Sequence, residues 1–134
     1  MSGPLLQRVH VPMLARALGG FSVGTPFWSR ADRVTAFFPG LYLVTDVRGR
    51  IVWLGKAAGA LGVTGRIAQH RTEPWKRQVF DRVFVAEADD RITGPALEAA
   101  EGWAADALNL RSRMPHRTWP PSGAWPALVG GHTV

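Results

Sequence analysis

A chain of 134 residues with 46% hydrophobic content is long enough to bury one hydrophobic core and too short for two cores of ordinary size. The sequence has no cysteine, which excludes disulfides, thiolate zinc sites and cysteine nucleophiles. It also has no apolar run long enough to span a bilayer and no signal-peptide pattern, so we expect a soluble, cytoplasmic protein that does not bind membranes.

The formal net charge is +6, and nearly all of the basic residues are arginines. A guanidinium group offers forked hydrogen-bond donors that match phosphate oxygens, so this charge favours a polyanionic partner. Arginine-rich composition also arises in GC-rich genomes. The charge by itself therefore leaves both explanations open.

The N-terminal region predicts a short helix followed by an extended segment. A helix over residues 11–18 would have Leu14 and Leu18 on one side and would end at a pair of glycines. Residues 21–39 mix glycine, proline and aromatic residues, which predicts a loop-rich strap packed over the domain. The alternative for this strap is a substrate-binding arm.

Residues 40–56 predict a β-hairpin, because two apolar runs rich in β-branched residues flank a short polar break. A two-residue turn at Arg48-Gly49 would place Tyr42 and Trp53 on one face as diagonal neighbours. Burial of the other face would fix the register. That face would carry Leu43, Val52 and Leu54.

The segment after the hairpin predicts a helix and then a third strand. Residues 63–70 have apolar side chains one turn apart, with Arg66 and His70 aligned on a different side. Pro74 would end this helix. Residues 78–88 alternate between apolar and other side chains, which is typical of a strand.

A second long helix is predicted to begin at Thr93, a good N-cap residue, and to run to about Leu108. Glu101 lies on its apolar stripe, one turn after Leu97. A carboxylate in an apolar stripe is expensive unless a cationic group meets it. Glu98 lies on a more exposed side, where a first-turn acid favours the helix dipole.

Residues 111–134 are rich in arginine, proline and tryptophan and cannot build a core of their own. This tail could wrap over the domain as an extended segment. It could instead carry basic and aromatic groups to a nucleic acid, where rings stack on bases and arginines contact phosphates.

Several of these motifs together resemble a known family. The set consists of Gly40-Leu41-Tyr42, Trp53-Leu54-Gly55-Lys56 after ten residues, Arg66 with His70 one turn later, and a helical glutamate. In this order and layout, residues 37–110 resemble a GIY-YIG nuclease domain. The resemblance implies an α/β (α+β) domain with a small three-stranded antiparallel sheet flanked by helices, which hydrolyses single- or double-stranded DNA with one divalent metal, Mg²⁺ or Mn²⁺.

The resemblance also implies roles for individual residues. Tyr42 would help to activate the attacking water, and Arg66 would be the catalytic arginine of the first helix. Glu101 would bind the metal, with Glu98 as the alternative ligand. The candidate catalytic residues are Tyr42, Trp53, Lys56, Arg66, His70 and Glu101.

The proposed roles agree with the chemistry of phosphodiester cleavage. One carboxylate can hold Mg²⁺, since this ion keeps most of its waters and takes phosphate oxygens as ligands. Arg66 can pair with phosphate through two parallel hydrogen bonds. Tyr42 has an intrinsic pKa near ~10, so it could act as a base only if neighbouring cations lowered that pKa.

Trp53 departs from the family pattern, which usually has tyrosine at this position. An indole donates one hydrogen bond but cannot take up a proton. One alternative is therefore a catalytically weakened module that binds nucleic acid without cleaving it. Another is an interaction protein whose tail, residues 111–134, binds a protein partner, while residues 1–36 form a helix and strap.

Overall fold

The computed structural model describes residues 3–131, so residues 1–2 and 132–134 of the two terminal regions lie outside it. The helices are α1 His10–Leu18, α2 Gly62–His70, α3 Pro74–Val79, α4 Gly94–Ala107 and α5 Leu110–Arg113, and the strands are β1 Ser22–Arg30, β2 Gly40–Thr45, β3 Ile51–Ala57 and β4 Arg82–Ala88. One 3₁₀ turn covers Gly19–Phe21 and one π-helical turn covers Pro126–Gly130. Within the described chain, no helix is long and apolar enough to cross a membrane.

The four strands form one antiparallel sheet in the order β1-β4-β2-β3. The mixed α/β class is confirmed, and the predicted number of three strands is wrong. Every residue of β2 is buried, because this strand has neighbours on both sides and helices over both faces. β3 and β1 are the two edges of the sheet.

The additional strand, β1, lies where the sequence predicted a loop-rich strap. It pairs only with β4, and its register shifts between Val23 and Phe27. Gly24 and Pro26 fall within this irregular stretch and break the alternation that would have identified a strand. An edge strand tolerates proline because one side of its backbone needs no partner in the sheet.

The predicted hairpin register is confirmed along most of β2 and β3. Val44 lies opposite Trp53, but the register shifts before the next pair and leaves Val52 without a partner. Val52 therefore packs in the same buried cluster as Tyr42, away from the cluster that contains Leu43. The prediction that Val52 lies on the Leu43 face was wrong, because it did not include this bulge.

The turn of the hairpin spans Asp46–Arg50 and is longer than the predicted two residues. The Asp46 N–H donates to the Arg50 carbonyl, and the Gly49 N–H donates to the Asp46 carbonyl, both at 3.0 Å. Gly49 has a φ of 81°, which glycine adopts without strain. The shift at Val52 offsets the longer turn, so the pairs further along the strands keep the predicted register.

Two helical layers cover the sheet. α1 and α4 pack on one face, in a cluster that includes Leu14, Leu18, Leu43 and Leu97. α2 packs on the other face, in a cluster that includes Tyr42. The predicted inward side of α1 is confirmed, since both of its leucines are fully buried.

The connection from α2 to β4 differs from the prediction. Pro74 does not simply end a helix, because it begins α3 at a position where a missing N–H costs nothing. The strand predicted over residues 78–88 is limited to β4, which begins at Arg82. Local alternation could not separate the end of α3 from the start of the strand.

α4 begins and packs as its sequence predicts. The Thr93 hydroxyl accepts a hydrogen bond from the Ala96 N–H at 3.2 Å and caps the helix. Glu101 lies among buried alanines and leucines on the inward side of the helix, and only 5% of the residue is exposed. The helix thus carries a carboxylate into the interior.

Residues 111–131, the C-terminal segment, pack over α4 and the β3 edge. Trp119 donates its indole N–H to the Leu54 carbonyl at 3.0 Å, and Trp125 donates to the Ala17 carbonyl at 2.8 Å. Trp119 and Met114 are buried in the same cluster as the α4 side chains. The segment therefore wraps over the domain.

Candidate functional site

A cleft of about 690 Å³ lies along the β3 edge of the sheet, and we call it the β3 cleft. α2 approaches it from one face of the sheet and α4 from the other. Six of the residues singled out from the sequence line this cleft: Tyr42, Trp53, Lys56, Arg66, Glu98 and Glu101. His70 lies behind the wall, bonded to Tyr42. The fold thus brings together side chains that are far apart in the sequence.

Tyr42 and His70 belong to a buried chain of polar contacts that ends at Lys76. The Tyr42 hydroxyl lies 2.8 Å from His70 Nε2, and Lys76 Nζ lies 2.9 Å from His70 Nδ1. An ammonium group only donates hydrogen bonds, so Nδ1 accepts from Lys76. His70 then carries its proton on Nε2 and donates it to the Tyr42 oxygen. This arrangement frees the Tyr42 hydroxyl proton for another acceptor.

Burial and nearby cations set the charge states of this chain. Burial raises the pKa of Tyr42 to about 12, although Arg66 and Arg117 act against this shift. Burial, together with the positive charges of Lys76, Arg66 and Arg117, lowers the pKa of His70 to about 3. At neutral pH the site therefore holds a neutral phenol and a neutral imidazole.

Gly55 gives Tyr42 its position at the wall of the cleft. A Cβ at Gly55 would lie 2.5 Å from the Tyr42 hydroxyl oxygen and 3.1 Å from Trp53 Nε1. Only glycine leaves enough space for both groups to pack across this point of β3. The Trp53 N–H is buried beside the Tyr42 hydroxyl, and its contact with that oxygen opposes the rise in the pKa of Tyr42.

Glu101 meets the cationic group that its buried position requires. Lys56 Nζ lies 3.8 Å from Glu101 Oε1, and the Glu101 side chain is only 6% exposed. Burial raises the pKa of this carboxyl, while Lys56, Arg117 and Arg66 oppose the shift. Glu98, one turn earlier on α4, is exposed at the rim. Glu101 is thus the inner acid and Glu98 the outer one.

The acids of the cleft fit a lightly coordinated metal better than a closed metal cage. Within residues 3–131, no group of three or more histidine, cysteine, aspartate or glutamate side chains is placed to hold an ion. Mg²⁺ needs only one or two protein carboxylates when waters and substrate oxygens complete its shell. Glu101 faces a space large enough for those waters. The residues present therefore fit such an ion.

Arg66 extends from α2 into the cleft. Its Nη1 donates to Gln69 Oε1 at 2.6 Å, a contact near the protein surface. This contact orients the guanidinium and leaves its other donors available to a ligand in the cleft. Arg66 lines the cleft together with Tyr42 and Glu101, and its positive charge acts to lower the pKa of both groups.

Sequence reasoning missed two cationic residues of this region. Arg117, from the C-terminal segment, lines the cleft. Lys76, from α3, lies behind it and is buried. The basic and aromatic composition around Arg117 was a signal that the segment could meet a ligand, but nothing local placed it at β3. Lys76 gave no signal, because α3 itself was not predicted.

The β3 cleft combines cations, carboxylates and a phenol in a form suited to an anionic ligand that also needs a metal or a water. No protein-family model matches the chain, and no curated protein or solved structure matches it either. The resemblance to the GIY-YIG family therefore stays a prediction.

Proposed function

We propose that the protein is a metal-dependent endonuclease that hydrolyses DNA phosphodiester bonds in the β3 cleft, by chemistry of the GIY-YIG type. The observation that carries this proposal is the convergence of Tyr42, Arg66 and Glu101 on one cleft, although 59 positions separate the first from the last. A phenol, a guanidinium and a carboxylate supply the groups that phosphodiester hydrolysis requires.

The cations would bind the substrate phosphate. Arg66 would donate paired hydrogen bonds to the phosphoryl oxygens and stabilise the charge that develops on them. Lys56, which already lies beside Glu101, would place a second positive charge near the same phosphate. Bound DNA would thus replace water in a cleft lined by Lys56, Arg66 and Arg117.

Tyr42 would act as a hydrogen-bond donor. With its pKa at about 12, Tyr42 is protonated at pH 7. Its oxygen accepts from His70 in the tautomer that Lys76 selects, which leaves the hydroxyl proton free to orient the attacking water or a phosphate oxygen. In this role His70 would hold the phenol in position instead of removing its proton.

The metal would be Mg²⁺ or Mn²⁺, held by Glu101, with Glu98 as the alternative ligand. Such an ion, when bound, supplies positive charge at the phosphate and lowers the pKa of a bound water. Lys56 would balance the buried Glu101 carboxylate when the ion is not bound. Glu98 lies at the exposed rim and would adjust the local charge.

The test is cleavage of labelled single- and double-stranded DNA by the purified protein with Mg²⁺ or Mn²⁺. We expect cleavage by the unmodified protein and a loss of at least about a hundredfold in Arg66→Ala and Glu101→Gln. Glu98→Gln distinguishes the two candidate ligands, and Arg113→Ala, an exposed arginine of the C-terminal segment, controls for lost charge.

Cleavage that persists undiminished in Arg66→Ala or Glu101→Gln would contradict this proposal. Thermal unfolding of each variant would separate lost chemistry from lost structure. If Glu98→Gln lost activity and Glu101→Gln kept it, the nuclease proposal would stand with the metal ligands exchanged.

A second candidate function is DNA binding without cleavage, and Trp53 favours it. The indole cannot take up a proton, and the raised pKa of Tyr42 keeps its phenol protonated, so neither aromatic residue can act as a base. This candidate predicts salt-dependent binding of DNA with no turnover in any metal. A protein-interaction role through the tail has less support, because Trp119 and Trp125 already donate to backbone carbonyls of this chain.

A further inference from the structure

The C-terminal segment supplies the β3 cleft with a second arginine. The guanidinium carbon of Arg117 lies 3.7 Å from the centre of the Trp53 ring, which is a close cation–π contact. Its Nη2 donates to the Leu54 carbonyl at 2.8 Å. These two contacts fix the guanidinium against β3 with part of its surface toward the cleft.

The hydrogen bonds of this guanidinium are incomplete. Arg117 Nε is buried and has no partner among residues 3–131. A buried donor without an acceptor costs free energy, and a charged donor costs more. Burial lowers the pKa of Arg117, while the negative charge of Glu101 opposes that shift. An unpartnered charged donor beside the cleft points to an anionic ligand.

We infer that Arg117 is a second arginine that contacts the substrate phosphate, and that Trp53 is the platform that holds its guanidinium in place. The inference rests on the proposed function for the identity of the ligand, a phosphodiester. It also gives the tryptophan a role: an indole offers a wider and more strongly attracting face to a guanidinium than the tyrosine of the family pattern. The C-terminal segment is then part of the substrate site.

The Leu54 carbonyl accepts from two donors, and this makes it possible to distinguish a binding role of Arg117 from a structural one. Trp119 donates to the same carbonyl at 3.0 Å, so removal of Arg117 does not leave this acceptor unpaired. Trp119 also keeps the segment docked, because its ring is buried in the core. Loss of Arg117 should therefore reduce ligand binding and leave thermal unfolding nearly unchanged.

The experiment measures the affinity of a short DNA oligonucleotide in EDTA, so that binding is separated from cleavage. We expect Arg117→Ala to weaken binding about tenfold and to reduce the slope of log affinity against log salt by about one. Arg117→Lys should recover only part of the affinity, because an ammonium lacks the forked donors. Arg113→Ala is the matched control, an exposed arginine of the same segment, and should change the affinity about twofold or less.

A double-mutant cycle tests whether the Trp53 ring holds the Arg117 guanidinium in place for binding. Trp53→Leu removes the ring face, and Trp53→Phe keeps a ring but removes the indole N–H. We expect Trp53→Leu to weaken binding about as much as Arg117→Ala, with little further loss in the double variant. Trp53→Phe should lie between Trp53→Leu and the unmodified protein. Additive losses for Trp53→Leu and Arg117→Ala would overturn the platform role.

The outcomes separate this inference from the nuclease proposal. Binding that depends on Arg117 in a protein that never cleaves DNA would support the second arginine and contradict the nuclease. Cleavage that depends on Arg66 and Glu101 while Arg117→Ala behaves like Arg113→Ala would overturn the second arginine alone. Absence of oligonucleotide binding by the unmodified protein would overturn the second arginine, while the cleavage assay with Mg²⁺ or Mn²⁺ decides the nuclease proposal.

Discussion

Two arginines of the C-terminal segment lie six positions apart and have opposite surroundings. Arg111 donates from Nε to Asp106 at 2.6 Å and from Nη1 to the Trp119 carbonyl at 2.8 Å. Its Nη2 donates to the carbonyls of Gly102 and Pro120. We call this group the Arg111 latch. Within the described part of the chain, Arg117 has one carbonyl acceptor, and its buried Nε has none.

The comparison shows how to separate a structural cation from a ligand-binding one. In the latch all three guanidinium nitrogens have acceptors, so the charge serves to join the segment to α4. At the cleft the same residue type keeps a donor unused and lies on an aromatic face. Mutations in the latch should therefore change stability, and mutations at the cleft should change charge states and ligand binding.

Removal of Arg111 is expected to have the largest effect on stability. Arg111→Ala leaves several backbone carbonyls and Asp106 without their charged donor, and we expect the free energy of unfolding to fall by about 3 kcal/mol. Chemical denaturation measures this change. Arg113→Ala, in the same helix but exposed, should stay within about 0.5 kcal/mol of the unmodified protein. Equal stability of the two variants would show that the latch contributes nothing.

His70 should make the free energy of unfolding depend on pH. The expected change is somewhat smaller than the loss expected for Arg111→Ala. The folded His70 has a pKa of about 3, so it stays neutral where the unfolded residue, with a pKa near ~6.5, binds a proton. The unfolded state thus binds more protons between these values, and stability falls as the pH falls from ~6.5 toward ~3. Between pH 7 and pH 5 the loss should be about 2 kcal/mol.

The variant His70→Gln tests this expectation, since its amide can still bond to Tyr42 but does not titrate. The loss of stability between pH 7 and pH 5 should shrink by about 2 kcal/mol in His70→Gln and stay unchanged in His116→Gln, whose site is exposed. The other titrating groups are common to all three proteins and cancel. An unchanged pH slope in His70→Gln would mean that folded His70 takes up a proton near its ordinary pKa.

Replacement of Lys76 should have the smallest effect on stability, but it should change which ring nitrogen of His70 carries the proton. Long-range ¹H–¹⁵N correlation spectra report which ring nitrogen of His70 carries the proton, and we expect Nε2. Lys76→Met should move the population toward the other tautomer, with a stability change of about 1 kcal/mol or less, while the exposed His116 keeps its signals. A proton on Nδ1 in the unmodified protein would contradict the proposed donor role of Tyr42.

Much of the fold follows from local patterns in the sequence. The leucines of α1, the Thr93 cap of α4 and the pairing of Val44 with Trp53 were all predictable, because each depends on neighbours within a helical turn or one hairpin. β1 was not predictable in this way. It joins a strand some fifty positions away, and Gly24 and Pro26 disrupt its pattern.

The residues of the candidate site also fall into two groups, those that local sequence patterns predict and those that depend on long-range packing. Its hairpin and helix residues were predicted because the motif spacings suggested them, and the structure places them around one cleft. Arg117 and Lys76 depend instead on tertiary packing. Arg117 reaches β3 because Trp119 docks on the Leu54 carbonyl, and Lys76 reaches His70 from α3, which begins after a three-residue turn from the end of α2. No local pattern encodes either arrangement.

The N-terminal residues and the part of the C-terminal segment around Arg117 lie against the same edge strand, β3, and this protects that edge from adding strands of other molecules. Near the N-terminus, Gly3 donates to the Ile51 carbonyl and Leu5 bridges to Arg50, at the start of β3. Further along, Arg117 and Trp119 occupy the Leu54 carbonyl. An uncovered strand edge is a template for aggregation. A protein shortened before Arg117 would regain that template and would self-associate more readily than the full chain.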